Sequence, residues 1–88
     1  MSYNFRITST FIKKRKRLPK TIKKQIDKAM KELLCDPYSA GFELVGNLEG
    51  LWKKRVGKYR IIYEINEIEK VVIFHTVDLR KKIYRTLR

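Results

Sequence analysis

Three β-strand patterns follow one another in the stretch LWKKRVGKYRIIYEINEIEKVVIFHTV, residues 51–77. Turn-forming residues divide this stretch into three runs that are rich in β-branched and aromatic side chains, at 51–56, 59–65 and 71–77. The first turn consists of Gly57 and Lys58, and a two-residue loop with glycine first favours a type II′ hairpin. The stretch therefore predicts a meander of three antiparallel strands.

The turn also predicts the register of the first hairpin. Pairing outward from the turn places Arg55 directly opposite Arg60, and alternation then puts Lys53 on the same face, with Trp52 and Tyr63 on the other. Two arginines that face each other across a ladder repel, at a cost of roughly a few tenths to 1 kcal/mol. A bound anion would remove that repulsion. The alternative is a chance meeting of bases on a solvated face, with Glu64 neutralising part of the cluster.

Residues upstream of the meander predict one strand and two helices. Residues 3–8 alternate apolar and polar side chains, which is typical of a strand with one wet face. Thr8, Ser9 or Thr10 can cap a short helix that runs to about Arg17. Apolar residues then recur at steps of three and four from 20 to 34, which indicates an amphipathic helix that Pro37 ends.

The remaining segments complete the predicted fold. Residues 36–50 contain three acidic residues and no basic one, and we interpret this segment as a linker. Asp78 can cap a last helix over 79–87, with Leu79, Ile83 and Leu87 as its apolar stripe. We expect a single α+β domain over 1–88, in the order β-α-α-β-β-β-α, with two N-terminal helices and a short C-terminal helix packed on an antiparallel sheet.

Composition restricts the class of protein. The chain has 88 residues, 22 Lys and Arg against 9 Asp and Glu, a formal net charge of +13 and 43% hydrophobic residues. It is too apolar for a disordered basic tail, and its charge predicts an anionic partner. One cysteine and one histidine cannot supply four zinc ligands, and no apolar run is long enough for a signal peptide or a membrane span. We therefore expect a cytoplasmic protein with no metal, cofactor or membrane partner, in which Cys35 is a buried hydrophobe and His75 a core or rim residue.

Cationic chemistry remains once the common catalytic motifs are excluded. The sequence has no Gly-rich phosphate loop, no Ser-His-Asp set and no carboxylate cluster for Mg²⁺. RNA can be cleaved without a metal, because its own 2′-OH is the nucleophile and the enzyme needs only to position it, move protons and stabilise the charged phosphorane. The candidate residues for such a reaction are Lys53, Arg55, Arg60, Arg80 and Tyr84. Arg80 and Tyr84 lie four residues apart and would share one face of the last helix.

Several segments resemble the RelE/ParE superfamily of bacterial and archaeal type II toxins. The resemblance rests on a helix pair ending near LLCDP, on LVGNLEGLWKKRVGKYRIIYEI, and on VVIFHTV followed by LRKKIY. It implies a twisted antiparallel sheet flanked by helices and a toxin that is restrained by an acidic, RelB-like antitoxin. In the RelE branch it also implies an endoribonuclease, or mRNA interferase, that inhibits translation by cleaving mRNA on the ribosome.

Residue roles carry over from that resemblance. Arg60 and Arg80 would hold the scissile phosphate, Lys53 or Arg55 would assist proton transfer, and Tyr84 would stack on the nucleotide or activate it. Position 55 is Arg where well-studied RelE members have Lys, and Leu79 stands where many relatives have His. A guanidinium stays protonated in proteins, so the proton-transfer role is expected at Lys53.

Two other functions remain open from the sequence. Members of the ParE branch share the fold but inhibit DNA gyrase instead of cleaving RNA. A non-catalytic, basic nucleic-acid-binding module would also account for the charge. The run KKRKR at 13–17 fits a nucleic-acid patch, a localisation signal or the wet side of a basic helix.

Overall fold

A computed structural model of the chain describes residues 3–44 and 50–80. These residues form a five-stranded sheet and two helices, with the bounds β1 Asn4–Ile7, α1 Ser9–Lys16, α2 Lys20–Cys35, β2 Phe42–Glu43, β3 Trp52–Val56, β4 Tyr59–Asn66 and β5 Val71–Leu79. The strand order across the sheet is β1-β5-β4-β3-β2. Neither α1 nor α2 has the length and apolar content needed to span a bilayer.

The predicted α+β class is confirmed, but the sheet differs from the expectation in two ways. β1 pairs with β5 in parallel, whereas the other three pairs of neighbouring strands are antiparallel. No tight turn links the first strand to the last, so the constraint that makes hairpin strands antiparallel does not apply to this pair. The second difference is a fifth strand, β2, which pairs with β3.

That fifth strand lies in the segment that was interpreted as a linker, and the interpretation is wrong for the described part of 36–50. Pro37, Gly41 and Leu44 are all buried. Between the buried residues Gly41 and Leu44, pairing with β3 supplies hydrogen-bond partners to the backbone of β2.

The register of the β3–β4 hairpin is confirmed. Arg55 pairs with Arg60 and Trp52 pairs with Tyr63. Gly57 has a φ of 58°, and Lys70 is the one non-glycine with a positive φ among the described residues. Lys58 therefore has a negative φ, as a type II′ turn with glycine first requires.

The helices cover one face of the sheet and form the main core. The Thr8 side chain caps α1 by accepting a hydrogen bond from the backbone N–H of Phe11, whose own side chain is fully buried. The apolar stripe of α2 packs on the same face, where its buried members are Ile26, Ala29 and Leu33. We call this side of the sheet the helical face.

Tyr63 ties the helical face to the segment before β2. Its hydroxyl donates a 2.7 Å hydrogen bond to the carbonyl oxygen of Pro37, and burial raises the pKa of the phenol, which keeps it a donor. Gly41 lies against the same side chain: a Cβ at this position would be 2.0 Å from the Tyr63 hydroxyl and 2.8 Å from the Lys53 carbonyl oxygen. Only glycine fits here without displacing one of these groups.

We expect Gly41→Ala to lower the free energy of unfolding by about 1–3 kcal/mol, because the added methyl overpacks this contact. Urea denaturation monitored by circular dichroism measures the change. Ser39→Ala is the matched control, because Ser39 is exposed and only two residues away. Equal stabilities of the two variants would contradict the close approach of Gly41 to Tyr63.

Two further expectations are corrected by the structure. β5 continues to Leu79, which pairs with Tyr59, and Arg80 is helical, so the last helix, predicted from about Leu79, begins one residue later. Because Leu79 pairs with the first residue of β4, β5 extends past its predicted end at residue 77. The rest of that helix, including Ile83, Tyr84 and Leu87, lies outside the described residues. Cys35 is exposed and not buried, because it lies four residues after Lys31 on the polar side of α2.

Candidate nucleic-acid interface

The predicted cations lie on the face of the sheet opposite the helices. Lys53 pairs with Ile62, and Arg55 pairs with Arg60. Ile62 belongs to a small apolar cluster with Leu44 and Leu51 that is separate from the main core. Because directly paired residues share a face, Lys53, Arg55 and Arg60 lie on this side. We call these three residues the basic cluster and the side they occupy the basic face.

The three cations differ in how far they reach solvent. Arg55 is exposed and Lys53 is half-buried, but Arg60 is only 5% exposed and its Nε atom is fully buried. The alternative of bases that meet by chance on a solvated face therefore does not describe Arg60. Leu44, which follows β2, and Leu51, which precedes β3, pack on Ile62. Part of the basic face is therefore apolar.

An acidic residue that sequence reasoning treated as a helix cap lies in register with Arg60. Asp78 of β5 is the direct cross-strand partner of Arg60 in the ladder. Its Oδ2 atom accepts a 2.9 Å hydrogen bond from the Lys14 ammonium of α1. Asp78 thus brings negative charge to the end of the sheet where the basic cluster lies. The alternation of side chains along β5 is the sequence signal that could have revealed the position of Asp78.

Arg80 lies at the same end of the sheet. Its backbone N–H donates a 2.9 Å hydrogen bond to the Lys58 carbonyl oxygen, so it is held beside the turn that joins Arg55 to Arg60. Arg80 is exposed. The structure therefore brings four of the five candidate residues to one end of the sheet, and the fifth, Tyr84, lies outside the described residues.

His75 and Glu64 form a second polar feature, farther along the sheet. The His75 Nε2 atom lies 2.9 Å from Glu64 Oε1, and both side chains are half-buried, as expected for a rim histidine. Glu64 is four residues from Arg60 along β4, which corresponds to about 13 Å. Its carboxylate therefore serves His75 and does not neutralise the pair of arginines.

Lys54 occupies the opposite, helical face. Its ammonium lies 3.5 Å from a carboxylate oxygen of Glu32 in α2, at the rim of the core. This contact supports a structural role for Lys54. Within residues 3–44 and 50–80, no three His, Cys, Asp or Glu side chains lie close enough together to hold a metal ion.

The fold agrees with a family match. Residues 5–84 match the family described as the ParE toxin of type II toxin-antitoxin systems, parDE. The chain therefore belongs to this family, and so to the RelE/ParE superfamily of toxins.

Similar proteins carry the names of the RelE branch. The chain is 31% identical over 86 residues to Toxin RelG of Mycobacterium tuberculosis. The match covers 97% of this chain and 99% of the RelG chain. It superimposes on a chain of the toxin-antitoxin complex RelBE2 from the same organism with a TM-score of 0.84 and 30% identity, over 91% of this chain and 100% of that one. The archaeal RelE-RelB complex of Pyrococcus horikoshii gives a TM-score of 0.74 and 27% identity, over 91% and 97% of the two chains.

Proposed function

We propose that this toxin is a metal-independent mRNA endoribonuclease that acts on the ribosome and so inhibits translation. The observation that carries the proposal is the cross-strand pair of Arg55 and Arg60, with Lys53 on the same face. Arginine and lysine donate charge-assisted hydrogen bonds to phosphate oxygens, so three such side chains on one face form a suitable surface for the RNA backbone. The likeness to toxins named RelG and RelE supports the same branch.

In the proposed reaction, the 2′-oxygen of the RNA attacks the adjacent phosphorus and the bond to the 5′-oxygen breaks. The 2′-OH proton passes to a base, a proton is delivered to the 5′-oxygen, and the products are a 2′,3′-cyclic phosphate and a 5′-OH end. Arg60 and Arg80 hold the phosphate, and their charges stabilise the phosphorane as it forms. Lys53 assists proton transfer, and Arg55, which stays protonated, stabilises charge. Tyr84 is assigned to stacking on the nucleotide or activating it.

The burial of Arg60 limits how it can act. Its Nε atom is fully buried, so any contact with a phosphate has to be made by its terminal Nη groups. A guanidinium held in this way keeps its position before the substrate arrives. Preorganised charge of this kind stabilises a transition state more effectively than a mobile side chain does.

The partner that we propose is an acidic, RelB-like antitoxin, with both proteins in the cytoplasm. Two of the solved structures of similar chains are toxin-antitoxin complexes with RelB. The net charge of +13 supports an acidic inhibitor, because charge complementarity speeds association and suppresses wrong partners.

A ParE-like inhibitor of DNA gyrase is the second candidate, and the name of the matching family model favours it. A non-catalytic basic module that binds nucleic acid is the third. The three differ in what they do to RNA and to gyrase.

Primer extension on an mRNA in a translating extract, run beside a gyrase supercoiling assay, separates them. We expect new 5′ ends within the open reading frame and unaffected supercoiling. The double variant Lys53→Ala with Arg55→Ala is the control and should leave the mRNA intact. Blocked supercoiling with uncut mRNA would assign the ParE activity instead, and no effect in either assay would leave the basic module.

A further inference from the structure

Phe42 is an exposed aromatic residue on the basic face. Phe42 is 72% exposed, and it is paired directly with Lys53 in the β2–β3 ladder. Leu44, two residues further on, packs with Ile62 on the basic face, which confirms the direction of alternation along this segment. The Phe42 ring therefore stands beside Lys53 and not against the helical core.

The other exposed apolar side chains lie elsewhere. Phe5 and Ile7 pair with Val72 and Phe74, which belong to the core on the helical face. Tyr38 packs edge-on against Trp52 with ring centroids 5.5 Å apart, also on the helical face. Single exposed apolar residues are common on protein surfaces, so exposure alone would carry no argument. Ile12 lies in α1, and Ile68 lies in the loop between β4 and β5. The position of Phe42 does carry an argument, because among the exposed large apolar residues that the structure describes it is the one in a strand that shares a sheet face with Lys53 and Arg55.

The backbone beneath Phe42 is anchored by pairing and packing. Its strand is paired with β3, and the backbone N–H of Leu44 donates a 2.9 Å hydrogen bond to the Leu51 carbonyl oxygen just beyond it. Leu44 and Leu51 also pack on the fully buried Ile62. Because this backbone is already paired, only the side-chain rotamers of Phe42 have to be ordered when the ring contacts a ligand, which favours binding.

The spacing of aromatic and cationic groups matches a single-stranded nucleic acid. Directly paired residues have Cβ atoms about 4.5–5.5 Å apart, so Phe42 adjoins Lys53. Arg55 is two residues along β3, about 7 Å further, and faces Arg60. Proteins that bind single strands combine aromatic rings, on which bases stack, with a cationic track for the backbone. An apolar protein segment would gain from Phe42 but not from the adjacent cations, and an acidic segment would gain from the cations but not from the ring, whereas a nucleic acid strand gains from both.

We propose that the Phe42 ring stacks on a base of the bound RNA, next to the nucleotide whose phosphate lies against Arg55 and Arg60. This inference rests on the proposed RNase function and adds a residue that positions the substrate. Phe42 takes no part in bond breaking. Because every base has a stacking face, the contact orients the strand without selecting a sequence.

The test uses a programmed ribosome and an mRNA with 2-aminopurine beside the cleavage site, made uncleavable by 2′-O-methylation of the attacking hydroxyl. We expect wild-type toxin to quench the 2-aminopurine fluorescence and Phe42→Leu to abolish the quenching. On the cleavable mRNA, Phe42→Leu should lower kcat/KM by roughly 5- to 100-fold, the loss expected for one stacked base. Phe42→Trp should restore both the quenching and the rate, because indole also stacks.

Phe5→Leu is the matched control: it makes the same change at an exposed phenylalanine on the opposite face, and quenching and rate should stay at wild-type values. A Phe42→Leu toxin that quenches and cleaves like wild type would overturn the inference and leave the RNase function intact. A Phe42→Leu toxin that loses only its affinity for the antitoxin would also overturn the inference, because Phe42 would then belong to a protein interface. A wild-type toxin that neither quenches nor cleaves would instead overturn the proposed function itself.

Discussion

Arg60→Ala is expected to slow mRNA cleavage by roughly two to three orders of magnitude, which corresponds to about 3–4 kcal/mol of lost transition-state stabilisation. Arg60 is held in a ladder pair with Arg55 on one side and Asp78 on the other. Arg60 is also only 5% exposed, and this burial restricts its side chain before the substrate binds. Single-turnover cleavage on programmed ribosomes measures the loss, because product release does not then limit the rate.

The burial of Arg60 calls for a second variant. Since Arg60 is only 5% exposed, truncation to alanine leaves a void and also lowers stability. Arg60→Lys keeps an aliphatic stem and a positive charge but lacks the planar fork that binds a phosphate with two hydrogen bonds. We expect it to remain folded, as judged by urea denaturation, and to cleave at least about 10-fold more slowly than wild type.

Arg17→Ala controls for the loss of one positive charge, because Arg17 is exposed beyond the end of α1. This variant should cleave at nearly the wild-type rate. Wild-type cleavage by folded Arg60→Ala and Arg60→Lys would remove Arg60 from the site. A loss in Arg17→Ala as large as that in Arg60→Ala would show that total charge, and not the site, controls the reaction.

The association rate of the toxin with its purified antitoxin should fall by about 100-fold as salt rises from roughly 0.01 M to 1 M, over which the Debye length shrinks from about 30 Å to about 3 Å. The reason is the net charge of +13, which steers an acidic partner to the toxin. Stopped-flow fluorescence of the Trp52 indole, which is half-buried, gives the rate.

Charge variants locate the surface that steers the antitoxin. Lys53→Gln with Arg55→Gln removes two charges from the basic cluster, and Lys24→Gln with Lys28→Gln removes two from the exposed side of α2. We expect the first pair to slow association at low salt several-fold more than the second pair does. Equal slowing would place the encounter elsewhere, and a rate that is independent of salt would reject charge-steered capture and leave apolar contacts as the basis of binding.

Two modes of inhibition are consistent with this prediction. The antitoxin can lay acidic side chains against Lys53, Arg55 and Arg60, or it can displace the predicted last helix and carry Tyr84 away from the site. A disordered acidic segment that folds on binding would serve either mode, because it can cover a wide surface and is degraded when free.

Local sequence was sufficient for the elements whose geometry depends on near neighbours. The register of the β3–β4 hairpin follows from a two-residue turn with glycine first, and each later pair is then set by the alternation of side chains. The long helix follows from an apolar period of three and four residues, which gave its core positions Ile26, Ala29 and Leu33. The pairing of Arg55 with Arg60, and with it the site of the proposed chemistry, could therefore be predicted.

Contacts between distant segments were decided only by the tertiary structure. The parallel pairing of β1 with β5 and the pairing of Phe42 with Lys53 each join segments that no short turn connects, so no local pattern specifies them. Leu44 and Leu51 cover Ile62 and thereby make the basic face partly apolar. Sequence alone determined which residues carry the charge and which of them share a face, because alternation is a local property. Which of these charges is buried, and which aromatic ring stands beside them, depended on the packing of segments far apart in the chain.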